Sequence, residues 1–178
     1  MNKSPNKRIL GIDPSTKLLG WCLADADPFN IIDYGVIKFN YKQDINNKLY
    51  HVFTSLLELM RNNDPDILGI ENVFIHVHSM ASAFAMQGTK TAVILAFINH
   101  YRKKYNDDNA PIHKIAATSI KKQLTGKGHA SKELVAEHIH RKLGLNVEGI
   151  PADATDAIAV AWVTHRLIIE NAGNPGVS

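Results

Sequence analysis

Apolar residues along this chain follow two rhythms. Short unbroken runs occur at Arg8-Ile9-Leu10-Gly11-Ile12-Asp13 and at Ile67-Leu68-Gly69-Ile70-Glu71, and each closes on an acid. Runs of this length read as buried strands with a carboxylate at the C-terminal tip. Pro14 punctuates the first, because proline has no N–H to give to a ladder. Trp21–Ala24 and Ile31–Ile37 read as two more strands, separated by the turn-rich Asp25-Ala26-Asp27-Pro28-Phe29-Asn30. With the first run they predict an antiparallel three-strand meander. The second rhythm is helical. From Asp44 to Arg61, Leu49, Val52, Phe53, Leu56, Leu57 and Met60 recur at three- and four-residue spacing, and Asn62-Asn63-Asp64-Pro65 stops the helix. A long helix is expected from about Ser79 to Tyr101, a short strand at 111–115, a short helix at 118–124, a helix from Ser131 to Leu143 and a last helix from about Asp153 to Glu170. Ser131 is a usable N-cap, but Leu134 leaves the capping box incomplete.

Five strands, three in the meander and two alternating with helices after it, predict an α/β sheet of mixed direction, with helices to cover both faces. There is no internal repeat, long linker or low-complexity block. The whole chain, 1–178, is expected to form one domain with flexible ends at about 1–7 and 171–178, the latter turn-rich.

Composition narrows the class only slightly. With 45% hydrophobic and 21% charged residues the chain suits a globular domain. No apolar run approaches the roughly 20 residues that span a bilayer, so no membrane association is expected. The N-terminal segment is polar and basic rather than signal-like, which makes a cytoplasmic location the expectation. Cys22 is the one cysteine; it cannot form an intramolecular disulfide or a multi-cysteine zinc site, and reads as a small core residue. The net charge of +3 says little. Its distribution says more, because Arg102, Lys103, Lys104, Lys114, Lys121, Lys122, Lys127, Lys132, Arg141 and Lys142 follow one another in one stretch. They form either a positive face for a polyanion or an ordinary solvated surface.

The acids carry the chemistry. Asp13 and Glu71 end two apolar strands, where open α/β sheets tend to place their sites. Asp153 and Asp156 lie three residues apart and so share a helix face, flanked by the small residues Ala154 and Ala157. Like charges on one face are costly unless a cation lies between them, and hard divalent ions take oxygen ligands, with magnesium the natural candidate. Four carboxylates can hold two ions about 4 Å apart, an arrangement suited to phosphodiester hydrolysis. Singly, each acid also has a structural use: Asp13 as a turn residue, Glu71 as a strand-end charge, Asp153 as an N-cap and Asp156 as a first-turn acid.

Four motifs in order resemble the RuvC family of Holliday-junction resolvases over residues 8–166. They are Ile9-Leu10-Gly11-Ile12-Asp13-Pro14 with Gly20, Ile70-Glu71-Asn72-Val73-Phe74, Thr125-Gly126-Lys127-Gly128-His129-Ala130-Ser131-Lys132, and Asp153-Ala154-Thr155-Asp156-Ala157-Ile158-Ala159. The resemblance implies a ribonuclease H-like fold and a homodimeric endonuclease that cuts four-way junctions in recombination and repair, with divergent, phage-type relatives extending to other branched DNA. It makes Asp13, Glu71, Asp153 and Asp156 the metal-binding catalytic acids, served by Mg²⁺ with Mn²⁺ as a substitute. It gives Lys132 a catalytic and phosphate-contacting role, Lys121 a phosphate contact and Phe74 a base-stacking role at the crossover, with Lys122 and Lys127 as further phosphate contacts. Phe74 has a plain core role as its alternative, and Gly126 and Gly128 serve either close approach to phosphate or an ordinary turn. His129 is a minor candidate for DNA contact; His76 and His78 read as surface or core residues, and His138 and His140 diverge too far around a helix to chelate one ion. The long helix from about Ser79 is the candidate dimer interface, and branch-migration proteins are possible partners.

The chain departs from the family at Ser15, usually glycine, and at Met86-Gln87-Gly88-Thr89-Lys90-Thr91, which only loosely follows a Gly-Gln-Ala-Arg-Gly stretch. Two other classes compete. A catalytically inactive branched-DNA-binding module would keep Phe74 and the lysines without needing all four acids. An actin-like or sugar-kinase nucleotide site would explain Gly11-Ile12-Asp13-Pro14-Ser15-Thr16, but needs a second domain for which 178 residues leave no room.

Overall fold

The structure is a computed structural model that describes residues 6–39, 44–72 and 80–173. Its centre is a five-stranded sheet in the order β3-β2-β1-β4-β5. The strands are β1 (Arg8–Asp13), β2 (Leu18–Ala26), β3 (Phe29–Lys38), β4 (Ile67–Asn72) and β5 (Ile112–Ala116). The first three form the antiparallel meander, and β4 and β5 add in parallel beside β1. The mixed sheet expected from the sequence is therefore present. One boundary moves. The turn between β2 and β3 is only Asp27-Pro28, and Asp25↔Asn30 and Ala26↔Phe29 are paired strand residues rather than turn. Tertiary packing overrides their turn composition: Ala26 is buried, and Phe29 lies against His165 of the last helix.

Among the described residues, five helices cover both faces: α1 (Ile45–Asn63), α2 (Met80–Tyr105), α3 (Ala117–Thr125), α4 (Lys132–Leu143) and α5 (Ala152–Gly173). Strand periodicity sorts the side chains. Leu10, Ile12, Leu68 and Ile70 point to one face and pack with Val52, Leu56 and Met60 of α1 and Val93, Ala96 and Phe97 of α2. Ile9, Cys22, Ile67 and Ile115 point to the other, against Ile120, Leu124, Val135, Ile139, Ala157, Ile158 and Ala161 of α3, α4 and α5. Cys22 is a buried core residue. Helix ends follow local chemistry. Asp44 caps α1 by accepting from the Asn46 and Asn47 N–H groups, and Ser131 caps α4 by accepting from Leu134.

The α2 helix departs from expectation. Across Met80–Tyr105 it is long and apolar enough, by length and composition, to cross a membrane, because its apolar residues run almost all the way round. One side buries Ala92, Val93, Ala96 and Phe97, whereas Met80, Phe84 and Leu95 are exposed. Packing against α1 and the sheet accounts for the buried side, and the core helix of a globular domain passes the same test of length.

A track of glycines lays α5 across the sheet. Gly20 of β2 lies under the Asp153 backbone, Gly11 of β1 under Ala157 and Ala161, and Gly69 of β4 under Thr164. A Cβ on Gly20 would come within 1.8 Å of the Asp153 carbonyl oxygen, and one on Gly11 within 2.6 Å of the Ala157 oxygen. The helix can lie this close only because the strands present no side chains beneath it. Its own small residues Ala154, Ala157 and Ala161, all buried, are the complementary half of the contact.

Candidate nuclease centre

The sheet register places the first two acids side by side. Ile12 pairs with Ile70 in the parallel β1–β4 ladder, so the next residues, Asp13 and Glu71, are neighbours at the strand tips. Both share the side-chain direction of Gly11 and Gly69, which is the face that α5 covers. Asp13 is also paired with Gly20 across β1–β2, and the Asp153 backbone rests on Gly20. The glycine under α5 thus sets the first turn of that helix beside Asp13, and Asp156, three residues on, shares that helix face.

Electrostatics show how close this gathering is. Asp13 is only partly exposed, and its carboxyl is pushed up to about 8 by burial first, then by the charges of Glu71, Asp156 and Asp153, with Lys132 opposing. Burial raises Glu71 as well, reinforced by Asp156 and opposed by Lys121 and Lys132. Asp156 is raised by burial, against the opposing effect of Lys132. Acids from β1, β4 and α5 therefore feel one another, although 140 residues separate Asp13 from Asp153 in the chain.

Lys121 and Lys132 meet these acids through the α3–α4 hairpin. Gly126 ends α3 with φ 79° and donates its N–H to the Lys122 carbonyl at 2.8 Å. That left-handed conformation is one most side chains resist. The Thr125 hydroxyl donates to the Lys121 carbonyl and accepts from the Lys127 N–H, closing the turn. Ser131 then starts α4, so that Lys132 stands at its first position, with Nζ 3.5 Å from Asp156 Oδ2. The lysine side chain is largely exposed, so this is a loose pair contributing little to stability. Of the two loop glycines only Gly126 has positive φ.

The remaining expected site residues are more scattered. Lys122, Lys127 and His129 are exposed on the same hairpin, and neither Lys122 nor Lys127 contributes to the shifts of the acids. Three cations of the basic stretch from 102 to 142 are engaged elsewhere. Arg102 pairs with Asp108 at 2.6 Å, Lys104 pairs with Asp64 and Asp66 at 2.8 and 2.7 Å, and Lys142 lies over the Trp162 ring. Nearness in sequence alone does not tell which of these charges stay available to a polyanion. His138 contacts Arg141, whereas His140 lies against the Leu145 carbonyl, in keeping with their divergence. Phe74, His76 and His78 lie outside the described residues. Sequence reading missed the Gly20 and Gly69 contacts with α5; the signal, a glycine in a strand opposite alanines of a later helix, depends on knowing the register.

Among the described residues, no three histidine, cysteine or acidic side chains are drawn into a ligating cluster as they stand. The chemistry of the four acids nevertheless fits a hard divalent cation: the donors are all oxygens, and Asp13, Glu71 and Asp156 are raised by burial first and by neighbouring acids after it, both of which a bound cation would offset.

Comparison with known proteins agrees with this architecture. The family model described as "Crossover junction endodeoxyribonuclease RuvC" matches residues 9–165. A protein of that name from Anaplasma phagocytophilum is 31% identical over 157 residues, covering 86% of this chain and 91% of the relative. Its counterpart from Gloeobacter violaceus is 29% identical over 164 residues, covering 89% of each. Among solved structures, the T. thermophilus RuvC in complex with a Holliday junction substrate superimposes with a TM-score of 0.75 at 20% identity, covering 92% of this chain and 96% of that one. The yeast mitochondrial Holliday junction resolvase gives 0.64 at 14% identity, covering 94% and 83%. These structural likenesses identify the fold as ribonuclease H-like.

Proposed function

The chain belongs to the RuvC family of crossover junction endodeoxyribonucleases, and from that premise we propose that it resolves Holliday junctions with a centre made of Asp13, Glu71, Asp153 and Asp156. It is a divalent-metal-dependent nuclease acting on four-way DNA. The observation that supports the assignment of the acids is their electrostatic coupling across β1, β4 and α5, with Lys121 and Lys132 beside them.

The four carboxylates hold the metal, with Mg²⁺ the expected ion and two per centre the count that four acids suit. When bound, such ions supply an activated water and neutralise charge on the phosphate and the leaving oxygen. The chain's own residues do the rest. Asp13 and Glu71, on rigid strand tips, fix the donors on the sheet side, and the glycine track sets Asp153 and Asp156 against them from α5. Lys132 and Lys121 bring positive charge to an otherwise anionic centre. They lower the cost of approach for a polyanionic strand, and Lys132 is placed to stabilise charge that develops on the phosphate. Lys122 and Lys127, exposed on the hairpin, extend the contact along the backbone. The apolar exposed face of α2, with Met80 and Phe84, supports assembly as a homodimer, which would present two centres to the two strands of a junction.

The test is incubation with four-way, Y-shaped and linear DNA, with and without Mg²⁺. Paired nicks in the junction that require the metal are expected. Asp13→Asn and Asp156→Asn should abolish cutting while leaving junction binding intact. If either variant cuts at the wild-type rate, the centre is misassigned; tight binding without cutting in Mg²⁺ or Mn²⁺ would instead indicate a binding module.

A further inference from the structure

The strand end that carries Glu71 has a second polar cluster on the opposite face of the sheet. Asn72 follows Glu71 at the end of β4, and strand alternation turns its side chain away from the acids, toward α2. There the Lys90 ammonium of α2 donates to Asn72 Oδ1. A lysine offers only donors, so the amide oxygen faces it and the amide N–H₂ group is left to donate elsewhere. Lys114 lies on the neighbouring strand, in register with Ile70 and pointing to the same face. It is exposed, and near enough that its charge, after burial, holds Lys90 below the ordinary lysine range. Among the described residues no carboxylate is paired with Lys90 or Lys114. Two ammonium groups brought together on partly dry ground repel each other, and an anion beside them relieves the repulsion.

We propose that Lys90, Lys114 and the Asn72 amide form a second phosphate-binding point, which holds the backbone of one DNA arm as it passes the β4–β5 rim on the face away from the acids. The inference rests on the reading that the substrate is branched DNA, and adds to that reading where a diverging arm is gripped. A nucleic-acid backbone suits the site better than a small anion. The donors sit on the sheet rim, with Lys114 open to solvent, and the rim is one residue from Glu71, so a strand cut at the acids has an adjoining arm within reach of it. Lys90 falls in the stretch where the chain departs from the family pattern, and Lys114 lies in none of the motifs that carry the resemblance.

The experiment measures binding of a labelled four-way junction by the full chain, uncut in EDTA, across a salt series, together with single-turnover cleavage in Mg²⁺ at saturating enzyme. Lys114→Ala should flatten the slope of log affinity against log salt by about 0.9, the counterion share of one phosphate, and the Lys90→Gln/Lys114→Ala pair by up to about 1.8. Cleavage of fully bound junction should stay within about twofold of wild type. Lys103→Ala, which removes an exposed α2 charge near the far end of the helix, should leave the slope alone. The inference is overturned by wild-type slopes in the pair, by equal flattening in Lys103→Ala, or by collapse of the saturated rate with an unchanged slope, which would make Lys90 a prop for β4. Exposed Lys114 keeps the test decisive if Lys90→Gln fails to fold. Wild-type protein that neither binds nor cuts junctions removes the functional reading and this inference together; wild-type activity with unchanged slopes in the variants removes this inference alone.

Discussion

Replacing Asp13 with asparagine should make the metal-free protein more stable while destroying its activity. The carboxyl of Asp13 stands at about 8 in the folded chain against an ordinary value of 3.8. Near pH 7 the unfolded chain has lost this proton and the folded chain retains it. At about 1.4 kcal/mol per unit, the mismatch bounds the destabilisation at roughly 4 kcal/mol. Asp13 is partly exposed and shares its repulsion with Glu71, Asp156 and Asp153, so solvent screening brings the expected effect to about 1–2 kcal/mol. Asparagine keeps the shape and cannot ionise. Thermal unfolding in EDTA at pH 7.5 should therefore show Asp13→Asn melting about 3–6 °C above wild type for a domain of this size. The sign fixes the pH window: because the folded value is raised, wild-type stability is highest below about pH 4 and falls as pH rises toward 8, and the gap between the proteins closes in acid. Added Mg²⁺ should raise the wild-type melting temperature by binding linkage and the variant's much less. An Asp13→Asn protein melting at or below wild type in EDTA at pH 8 would refute the argument that burial and the neighbouring acids make the Asp13 charge costly.

Gly20→Ala should cost about 3 kcal/mol or more in urea unfolding and most of the cleavage rate, because its Cβ would meet the Asp153 carbonyl at 1.8 Å, a backbone atom that no rotamer change can move aside; near-normal stability would show that α5 does not depend on the glycine track. Lys121→Ala should weaken junction binding regardless of sequence and flatten the salt slope by about 0.9, and an unchanged slope would remove it from the interface. Ser131→Ala should lose about 1 kcal/mol as the α4 cap goes, with Ser131→Asp retaining it; equal melting of all three proteins would argue against the cap. Cleavage at limiting Mg²⁺ should rise as pH climbs toward 8, since raised Asp13, Glu71 and Asp156 must lose protons to take up a cation, and a flat profile of rate against pH would contradict this.

Much of this molecule is written locally in its sequence. The runs ending at Asp13 and Glu71 announced buried strands with acids at their tips, because burial on both faces demands continuous apolar residues. The spacing of Asp153 and Asp156 announced a shared helix face, and Ser131 and Asp64 marked helix ends, because caps are satisfied by neighbours in the chain. Turn composition misled at Asp25–Asn30, where packing of Ala26 and Phe29 extended the strands, and only the structure could tell which cations of the run from 102 to 142 are held in ion pairs, Arg102 with Asp108 and Lys104 with Asp64 and Asp66. What only the tertiary structure decided is which distant residues meet: Gly20 beneath Asp153, Gly69 beneath Thr164, Lys132 beside Asp156, Lys90 against Asn72. Periodicity and capping are set within a few residues along the backbone, whereas register and helix placement are settled by how close whole elements can approach, and that distance depends on the absent side chains of glycines far apart in the chain.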